Sequence, residues 1–568
     1  YAGKYEGMTT DESNPVILQD MKDNGSLFAS EDIVHSYPHC WRCKNPIIFR
    51  ATPQWFCSVE SFKDEAIAAC KDVKWLPAWG GERMISMIRE RADWCISRQR
   101  RWGVPIPILY CEDCGKVIVN DETIKAISDM FRKESSDAWY SKDPSEFIPA
   151  SVKCECGCNK FRKEMDIFDV WFDSGCTHAA VLQERPELSW PADLYLEGCD
   201  QYRGWFQSSL LTSVATTGRA PYKAVCTHGW VVDGKGEVMH KSKGNVVLPE
   251  EVISKYGADV LRLWVASLDF HNDVRVSPEM LKQLSEAYRK IRNTARFILG
   301  NLGNGEGFSP DTDMVALDKL SDFDKWALSR LDAVIEKVKA SYEAFDFYLA
   351  YHAIHSFCVV DMSNFYLDIV KDTLYCSAEK AEERRAVQTT MYIILDSLVR
   401  LVAPILTFTS DEIWKYMPHK STDDLRGVPF NQMPEKTGVV ISAEFEAKWN
   451  KIHAVRDDVL KALEEKRTVG VIGKSLDAGV TICAEGADYE QLSSYPELAQ
   501  AFSVSYVNVK NGADGEFKGA VEGVSITVEK AAGEMCERCW SHAPSVGSDA
   551  QYPHLCARCA AVMKLDLG

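Results

Sequence analysis

The 568-residue chain is 46% hydrophobic and 26% charged, with 20 cysteines and a net charge of −18. These values exclude disordered, collagenous and disulfide-stapled classes, and at about 150 residues per domain they predict roughly four domains. An acidic surface excludes a protein that coats nucleic acid without sequence preference, and the most apolar stretch, Met391 to Phe408, is broken by Asp396, Arg400 and Pro404, so no membrane span is expected.

The opening residues, Tyr1-Ala2-Gly3-Lys4, carry neither an initiator methionine nor a signal-peptide pattern, which reads as a piece of a longer cytoplasmic protein. Residues 1–50 are expected to form short strands and turns. A mixed stretch dense in Trp and Arg occupies 51–110, and a charged, helix-like middle lies between two cysteine clusters in 111–165. Over 166–275, apolar runs such as Ala224-Val225-Cys226 and Trp230-Val231-Val232 alternate with helical patterns, predicting βαβ units on a parallel sheet. A connecting helical segment fills 276–320. Beyond it, Leu328, Leu331, Ile335, Val338 and Tyr342 mark one amphipathic helix, with Ser321 or Asp322 as its N-cap. Ile354, Cys358, Met362, Phe365 and Ile369 mark a second; Val387, Met391, Ile394, Leu398 and Leu401 mark a third, ended by Pro404. Three such stripes in succession predict a helical bundle over 321–440. Residues 441–530 combine one long helix, around Trp449 to Leu463, with strand-like runs at 480–482 and 524–528. A cysteine-rich module occupies 531–568. The class is multidomain, α/β followed by α.

Eleven of the cysteines fall in three tight clusters, a pattern of metal thiolates in a reducing compartment. Cys536-x2-Cys539 and Cys556-x2-Cys559 stand sixteen residues apart, the spacing of a four-cysteine zinc site. Four thiolates leave no open coordination position, so this Zn2+ is structural; the alternative is chance thiol or disulfide pairs. Arg538, Trp540, His542, His554 and Arg558 around it suit an RNA-contacting knuckle or a solvated rim. Cys111-x2-Cys114 with Cys154, Cys156 and Cys158 offers five thiols for four places, and Cys111, Cys114, Cys154 and Cys156 are the expected ligands. Cys40-x2-Cys43 is half of such a site, with a partner pair expected upstream, or else two ordinary cysteines.

The stretch Gly234-Lys235-Gly236-Glu237-Val238-Met239-His240-Lys241-Ser242-Lys243-Gly244-Asn245 follows an apolar strand and brackets mobile cations between glycines, a form suited to a triphosphate. Alone it is no more than a solvated Gly-Lys loop. Upstream stand Asp169-Val170-Trp171-Phe172-Asp173-Ser174-Gly175 and Leu194-Tyr195-Leu196-Glu197-Gly198-Cys199-Asp200-Gln201-Tyr202-Arg203-Gly204-Trp205-Phe206. Earlier come Thr52-Pro53-Gln54-Trp55-Phe56 and Asp93-Trp94-Cys95-Ile96-Ser97-Arg98-Gln99-Arg100. In this order the chain resembles class I aminoacyl-tRNA synthetases of the isoleucine, valine and leucine group over essentially its whole length. The terminal four-cysteine site and Ile291-Arg292-Asn293-Thr294-Ala295-Arg296-Phe297 favour the bacterial isoleucine members.

The resemblance implies ATP-dependent activation of L-isoleucine to isoleucyl-AMP, with Mg2+ accompanying ATP, and transfer to tRNA(Ile) by a monomeric ligase. It implies the second half of a Rossmann-type nucleotide-binding fold, with the tail of an editing insertion in 1–50, a return into the catalytic domain in 51–110, and a zinc-bearing insertion in 111–165. The rest of the catalytic domain lies in 166–275, an anticodon-binding bundle in 321–440, a junction domain in 441–530 and a zinc module in 531–568. Glu197 matches the acid that holds the amino-acid part of the adenylate; Gly198, Asp200, Gln201 and Trp205 line the same pocket. Trp171 walls the isoleucine side chain, His228-Gly229 meets the adenine side of ATP, and Lys241 and Ser242 belong to the phosphate loop. Lys282, Arg289, Lys290, Arg292 and Arg296 form a basic run before the bundle, either a tRNA contact or an ordinary charged helix face. Two departures stand out. The usual Lys-Met-Ser-Lys-Ser loop reads Val238-Met239-His240-Lys241-Ser242 here, with Lys243 as a candidate to replace the missing first lysine. The family's His-x-Gly-His signature is absent, so the chain is expected to be inactive by itself. A valyl or leucyl relative, and a non-catalytic zinc-containing tRNA-binding module, are the alternative readings.

Overall fold

In the computed structural model of the chain, which describes residues 2–40, 43–303, 307–512 and 514–566, contacts fall into two units, residues 1–227 and 228–568. Among the described residues, no helix is long and apolar enough to cross a membrane.

Where strands and turns are expected near the start, Thr10–Asp23 is an α-helix. Thr9 and Glu12 form a reciprocal capping box, satisfying two amides that the first turn leaves without partners, and this outweighs Pro15 inside the helix. Farther along the first unit, Lys74–Leu76, Ala224–His228 and Tyr195–Gly198 form one sheet with Ala224–His228 in the middle. The central strand runs parallel to Lys74–Leu76, a partner from outside the 166–275 stretch where the alternation predicts parallel strands. Helix Trp205–Thr217 buries Phe206, Leu210 and Val214 against Val59, Met84 and Ile88. Its buried Thr212 hydroxyl donates to Ser208 O at 2.9 Å, so burial leaves that polar group satisfied. The insertion is a small antiparallel sheet of Val117–Ile118, Leu109–Cys111 and Phe161–Lys163, beside helix Asp121–Glu134.

The second unit begins with Val231–Asp233 paired parallel to Val274–Val276. Ser277 caps helix Pro278–Leu302, and Gly303, at φ +78°, ends it. Ser321 caps Asp322–Ala344 through a capping box with Asp324, and Pro404 follows helix Glu382–Val402 closely, both as the periodicity predicts. The second expected helix is different: Phe347–Ser356 is α, Phe357–Tyr366 is π, and Leu367–Ile369 is α again. The wide turn is sustained by hydroxyls that replace regular backbone partners. Cys358 O accepts from Ser363 Oγ at 2.8 Å and from Thr294 Oγ1 at 3.3 Å. All three rods contribute to one core with Leu331, Ile335, Met362, Met391 and Leu398.

Helix Ala443–Thr468 leads to a four-stranded sheet ordered Tyr506–Asn511, Ala478–Ala484, Val524–Lys530, Phe517–Lys518. The predicted runs at 480–482 and 524–528 pair antiparallel; the parallel Tyr506–Asn511 strand carries no expectation from sequence. Helix Thr407–Tyr416 receives a remote cap from buried Asp259, whose carboxylate accepts Thr409 N at 2.7 Å and Phe408 N at 3.2 Å.

Candidate functional site

In the first unit the candidate pocket residues gather at the end of strand Tyr195–Gly198. Tyr195 points into the core and stacks on Trp205, with centroids 4.1 Å apart and planes 6° apart, while Glu197 is exposed. The following 3-10 turn, Cys199–Tyr202, carries Asp200 and Gln201 to the start of helix Trp205–Thr217. Gln201 Oε1 accepts the Trp205 amide at 3.0 Å, and Gln201 Nε2 donates to Asp200 at 3.1 Å. A Cβ on Gly204 would stand 2.4 Å from Gln201 Oε1 and 3.1 Å from the Trp171 ring, so only glycine lets those side chains close together. Trp205 Nε1 donates to Ser174 O at 3.0 Å, tying this group to helix Val170–Gly175. Trp171, Gln201, Gly204 and Trp205 are therefore neighbours, with Glu197 and Gly198 on the adjoining strand end.

Asp169 organises the approach to this pocket. Its carboxylate accepts Trp94 Nε1 at 3.0 Å and pairs with Arg98 at 3.0 Å, fastening the Asp93–Arg100 stretch to the helix that carries Trp171. Four residues on, burial lifts the Asp173 carboxyl to about 6, with the Asp169 charge adding to it. An unfolded aspartate titrates near 3.9. The folded state therefore binds this proton more tightly, giving stability that is present at low pH and lost as pH rises from about 4 through 6. Asp173→Asn, neutral throughout, is expected to raise the melting temperature by a few degrees at pH 8 and to leave it unchanged near pH 4; melts at both pH values check this.

In the second unit, Gly229 is held where a Cβ would lie 2.4 Å from the Asn272 carbonyl, and exposed His228 turns its Nδ1 to Gly229 O at 2.8 Å. The phosphate loop is built on Asp233, an anion at the head of a lysine-rich stretch. Asp233 Oδ1 accepts the Lys235 and Glu237 amides, both at 2.9 Å, and Oδ2 accepts Asn245 Nδ2 at 2.9 Å. The Asn245 side chain and these amides hold the Asp233 carboxyl below the usual carboxylate range. The legible signal was an Asx turn, Asp before Gly-x-Gly. The other end is closed by Asn245 Oδ1 accepting the His240 amide, and by Gly244 at φ +67°. Lys243 pairs with Glu237 at 3.3 Å. Lys241 is exposed and has no partner among the described residues. The Ser242 side chain lies outside the described residues.

Both expected cysteine sets converge. The Sγ atoms of Cys111, Cys114, Cys154 and Cys156 lie within 4.8 Å of one another, as do those of Cys536, Cys539, Cys556 and Cys559. Individual separations are 3.6 Å for Cys111 to Cys156, 3.4 Å for Cys114 to Cys154 and 3.9 Å for Cys539 to Cys556. A tetrahedral Zn2+ with Zn–S bonds of about 2.3 Å spaces its sulfurs about 3.8 Å apart, so both donor sets fit. The hooks share a backbone. Gly115 N donates to Cys111 O and Cys111 N to Lys116 O; Trp540 N donates to Cys536 O and Cys536 N to Ser541 O. Cys40 repeats it with Lys44 and Asn45, so the half-site is a hook of the same form. The residue after the second cysteine is left-handed in each: Lys44 at φ 64°, Gly115 at 72°, Trp540 at 61°. The C-terminal module rests on helix Lys371–Cys376, where Arg558 grips Asp372 in a bidentate pair at 2.5 and 2.7 Å and Cys376 faces Arg538 O at 3.6 Å.

The basic run lies on helix Pro278–Leu302, where Lys282, Arg289, Lys290, Arg292 and Arg296 are all exposed. Arg289 is engaged by Glu286 at 2.6 Å. Arg292 and Arg296 instead line an open groove of about 340 Å³, with Tyr416 on the neighbouring helix.

Comparison with known proteins follows the same order along the chain. The family described as "tRNA synthetases class I (I, L, M and V)" matches residues 7–277, "Anticodon-binding domain of tRNA ligase" matches 324–482, and "Zinc finger found in FPG and IleRS" matches 533–562. The isoleucine–tRNA ligase of Caldanaerobacter subterraneus subsp. tengcongensis is 53% identical over 560 residues, 98% of this chain and 60% of that protein. That of Carboxydothermus hydrogenoformans is 51% identical over 574 residues, 99% of this chain and 61% of that protein. The chain thus spans about 60% of the length of the curated relatives it matches. A solved ternary complex of Agrobacterium radiobacter K84 leucyl-tRNA synthetase with tRNA and LeuAMS is similar over 77% of this chain and 51% of that one, at 20% identity and a TM-score of 0.45. The chain thus carries in order a catalytic region, residues 7–277, that matches the class I tRNA synthetases of the isoleucine, leucine, methionine and valine group, an anticodon-binding domain at 324–482 and a zinc finger at 533–562.

Proposed function

We propose that the chain supplies adenylate-pocket, phosphate-loop and tRNA-contacting parts of an isoleucine–tRNA ligase, a cytoplasmic monomer. The observation that carries this reading is the gathering of Trp171, Gln201 and Trp205 about Gly204, beside Glu197, in a chain 53% identical to an isoleucine–tRNA ligase. In the reaction, a carboxylate oxygen of L-isoleucine attacks the α-phosphorus of ATP, and pyrophosphate leaves with its Mg2+. Glu197 holds the amino-acid part of the adenylate, Asp200 and Gln201 orient it, and Trp171 and Trp205 wall the side chain. His228-Gly229 meets the adenine, with Gly229 allowing close backbone approach. The Lys241 ammonium meets negative charge as it develops on the departing phosphates, a stabilisation strongest when the donor is already in place. Isoleucine differs from valine by one methylene, which a hydrophobic pocket discriminates weakly. The test is amino-acid-dependent ATP–pyrophosphate exchange by the complete enzyme: isoleucine should be preferred over valine and leucine, and a preference for either competitor would overturn the assignment.

The two cysteine sets hold structural Zn2+ in this reading, since neither leaves a coordination position for substrate. The groove lined by Arg292, Arg296, Glu412 and Tyr416 offers two guanidinium groups for phosphates against one carboxylate, and a ring for a base, and suits an RNA strand. Arg296→Ala is expected to weaken tRNA binding uniformly across tRNAs and to lower the salt slope of log affinity by about 1. Binding titrations over a range of salt concentrations measure that slope.

A further inference from the structure

Trp171 and Gly204 also line a second cleft in the first unit, of about 390 Å³. Three guanidinium groups face it, those of Arg91, Arg98 and Arg203, against two carboxylates, Asp93 and Asp169. The local balance is positive in a chain whose net charge is −18. A cleft lined by an excess of one sign concentrates ligands of the other.

The five groups are not equally available. Arg98 is engaged throughout: Nη1 donates to Cys95 O at 2.9 Å and to Ser97 O at 2.7 Å, and Nη2 pairs with Asp169 at 3.0 Å. Asp169 is satisfied as well, since Trp94 Nε1 also donates to it. Asp93 accepts the Val59 amide at 3.1 Å. Arg91 lies over the Trp94 ring at 5.3 Å and donates through Nη1 to Gln207 Oε1, yet its Nε is buried with no hydrogen-bond partner. Arg203 is exposed, and its side chain has no partner among the described residues. With Arg98 and Asp169 paired, Arg91 and Arg203 answer to Asp93 alone, and one positive charge stays unmet. A guanidinium fork matches the oxygens of a phosphate in shape as well as in charge.

Arg203 is placed by the adenylate pocket itself. The turn Cys199–Tyr202 ends on the Arg203 amide, which donates to Asp200 O at 3.2 Å, and Gly204 follows. The turn that carries Asp200 and Gln201 to one pocket thus carries a cation to the adjoining cleft. Transfer to tRNA calls for such a neighbour. The terminal ribose hydroxyl oxygen bonds to the carbonyl carbon of isoleucyl-AMP, and the bond from that carbon to the phosphate oxygen breaks. AMP leaves with the electron pair, and the hydroxyl proton passes to it. A terminal ribose is joined to its strand through a single phosphodiester, so fixing that phosphate fixes where the hydroxyl can reach.

We propose that Arg91 and Arg203 bind the last phosphodiester of the tRNA 3′ strand and so set the terminal ribose hydroxyl against the adenylate. The proposal rests on the ligase reading, and two rates of the complete enzyme test them separately. Arg203→Ala should slow single-turnover transfer of isoleucine from enzyme-bound isoleucyl-AMP to tRNA by about 10- to 100-fold, the range for losing a hydrogen bond to a charged group. The loss should far exceed any effect on isoleucine-dependent pyrophosphate exchange. Arg203→Lys, which keeps the charge without the fork, should recover part of the transfer rate, and Arg91→Ala with Arg203→Ala should lose more than Arg203→Ala. If Arg203→Ala transfers at the wild-type rate, the inference is overturned. It is overturned equally if exchange falls by the same factor as transfer, since the phosphate held is then that of ATP. If the wild-type enzyme shows no isoleucine-dependent exchange, the ligase reading falls instead. Should Arg91→Ala fail to fold, the two substitutions at Arg203 decide alone.

Discussion

Cys559→Ser is expected to remove one zinc per chain and to unfold the C-terminal module while leaving the bundle folded. The buried interior of that module is mostly the cysteines themselves. Cys536, Cys556 and Cys559 are packed with only a few partners, Ala543, Val546 and Leu555 among them. Ordering the backbone costs about 1–2 kcal/mol per residue, a sum that so small an apolar cluster cannot offset. Structural zinc sites in isolated fingers bind with about 10–16 kcal/mol, which is folding free energy when the apo form is disordered. Losing one of four thiolates sacrifices most of it. Metal analysis and hydrogen exchange read the outcome: protection should vanish from the residues around the two hooks and persist in Glu382–Val402. Unchanged zinc content with unchanged protection would show that the four thiols pack as an ordinary core.

Lys241→Ala in the complete enzyme is expected to slow isoleucine-dependent pyrophosphate exchange by about 10²–10³-fold, the usual cost of deleting one preorganised donor to a developing charge, or about 3–4 kcal/mol. The effect should fall on kcat more than on KM, because the ammonium matters most when the phosphates separate. Lys243→Ala should cost less. Its ammonium already answers Glu237 at 3.3 Å, whereas Lys241 has no partner among the described residues. Exchange rates of the two variants, each within the same range as wild type, would refute the assignment of the loop to phosphate handling.

What was legible in the sequence was whatever short spacing or strong periodicity encodes. Cys111 with Cys114 and Cys536 with Cys539, each pair three apart, fold into hooks through their own backbone bonds, so short spacing points to the thiols that converge. Helix Asp322–Ala344 announces itself by its cap and its stripe. Glu197, Gly198, Asp200, Gln201, Trp205 and Trp171 were legible as candidates from motif resemblance, while the close approach of both Trp171 and Gln201 to Gly204 depends on its missing side chain, which no pattern reveals. Elsewhere competing signals misled. Residues 1–50 read as short strands and turns, but the Thr9–Glu12 box starts a helix that runs to Asp23. The second bundle helix keeps a 3–4 apolar spacing through a π segment because hydroxyls on Thr294 and Ser363 take up the displaced carbonyl, a tertiary effect invisible in the stripe. Asp233 escaped notice because a phosphate site directs attention to cations, while the loop's shape is set by an anion that gathers amides.

The bidentate grip of Arg558 on Asp372 has a mechanical consequence. A terminal module on a slack tether could pull in any direction without disturbing its host. Here the pull has a fixed point of application, a side chain of helix Lys371–Cys376, which adjoins the end of the π-containing rod. A load on the module is shared between that rod, through Arg558, and the four-stranded sheet, through the His542 amide that donates to Ser505 Oγ at 2.8 Å.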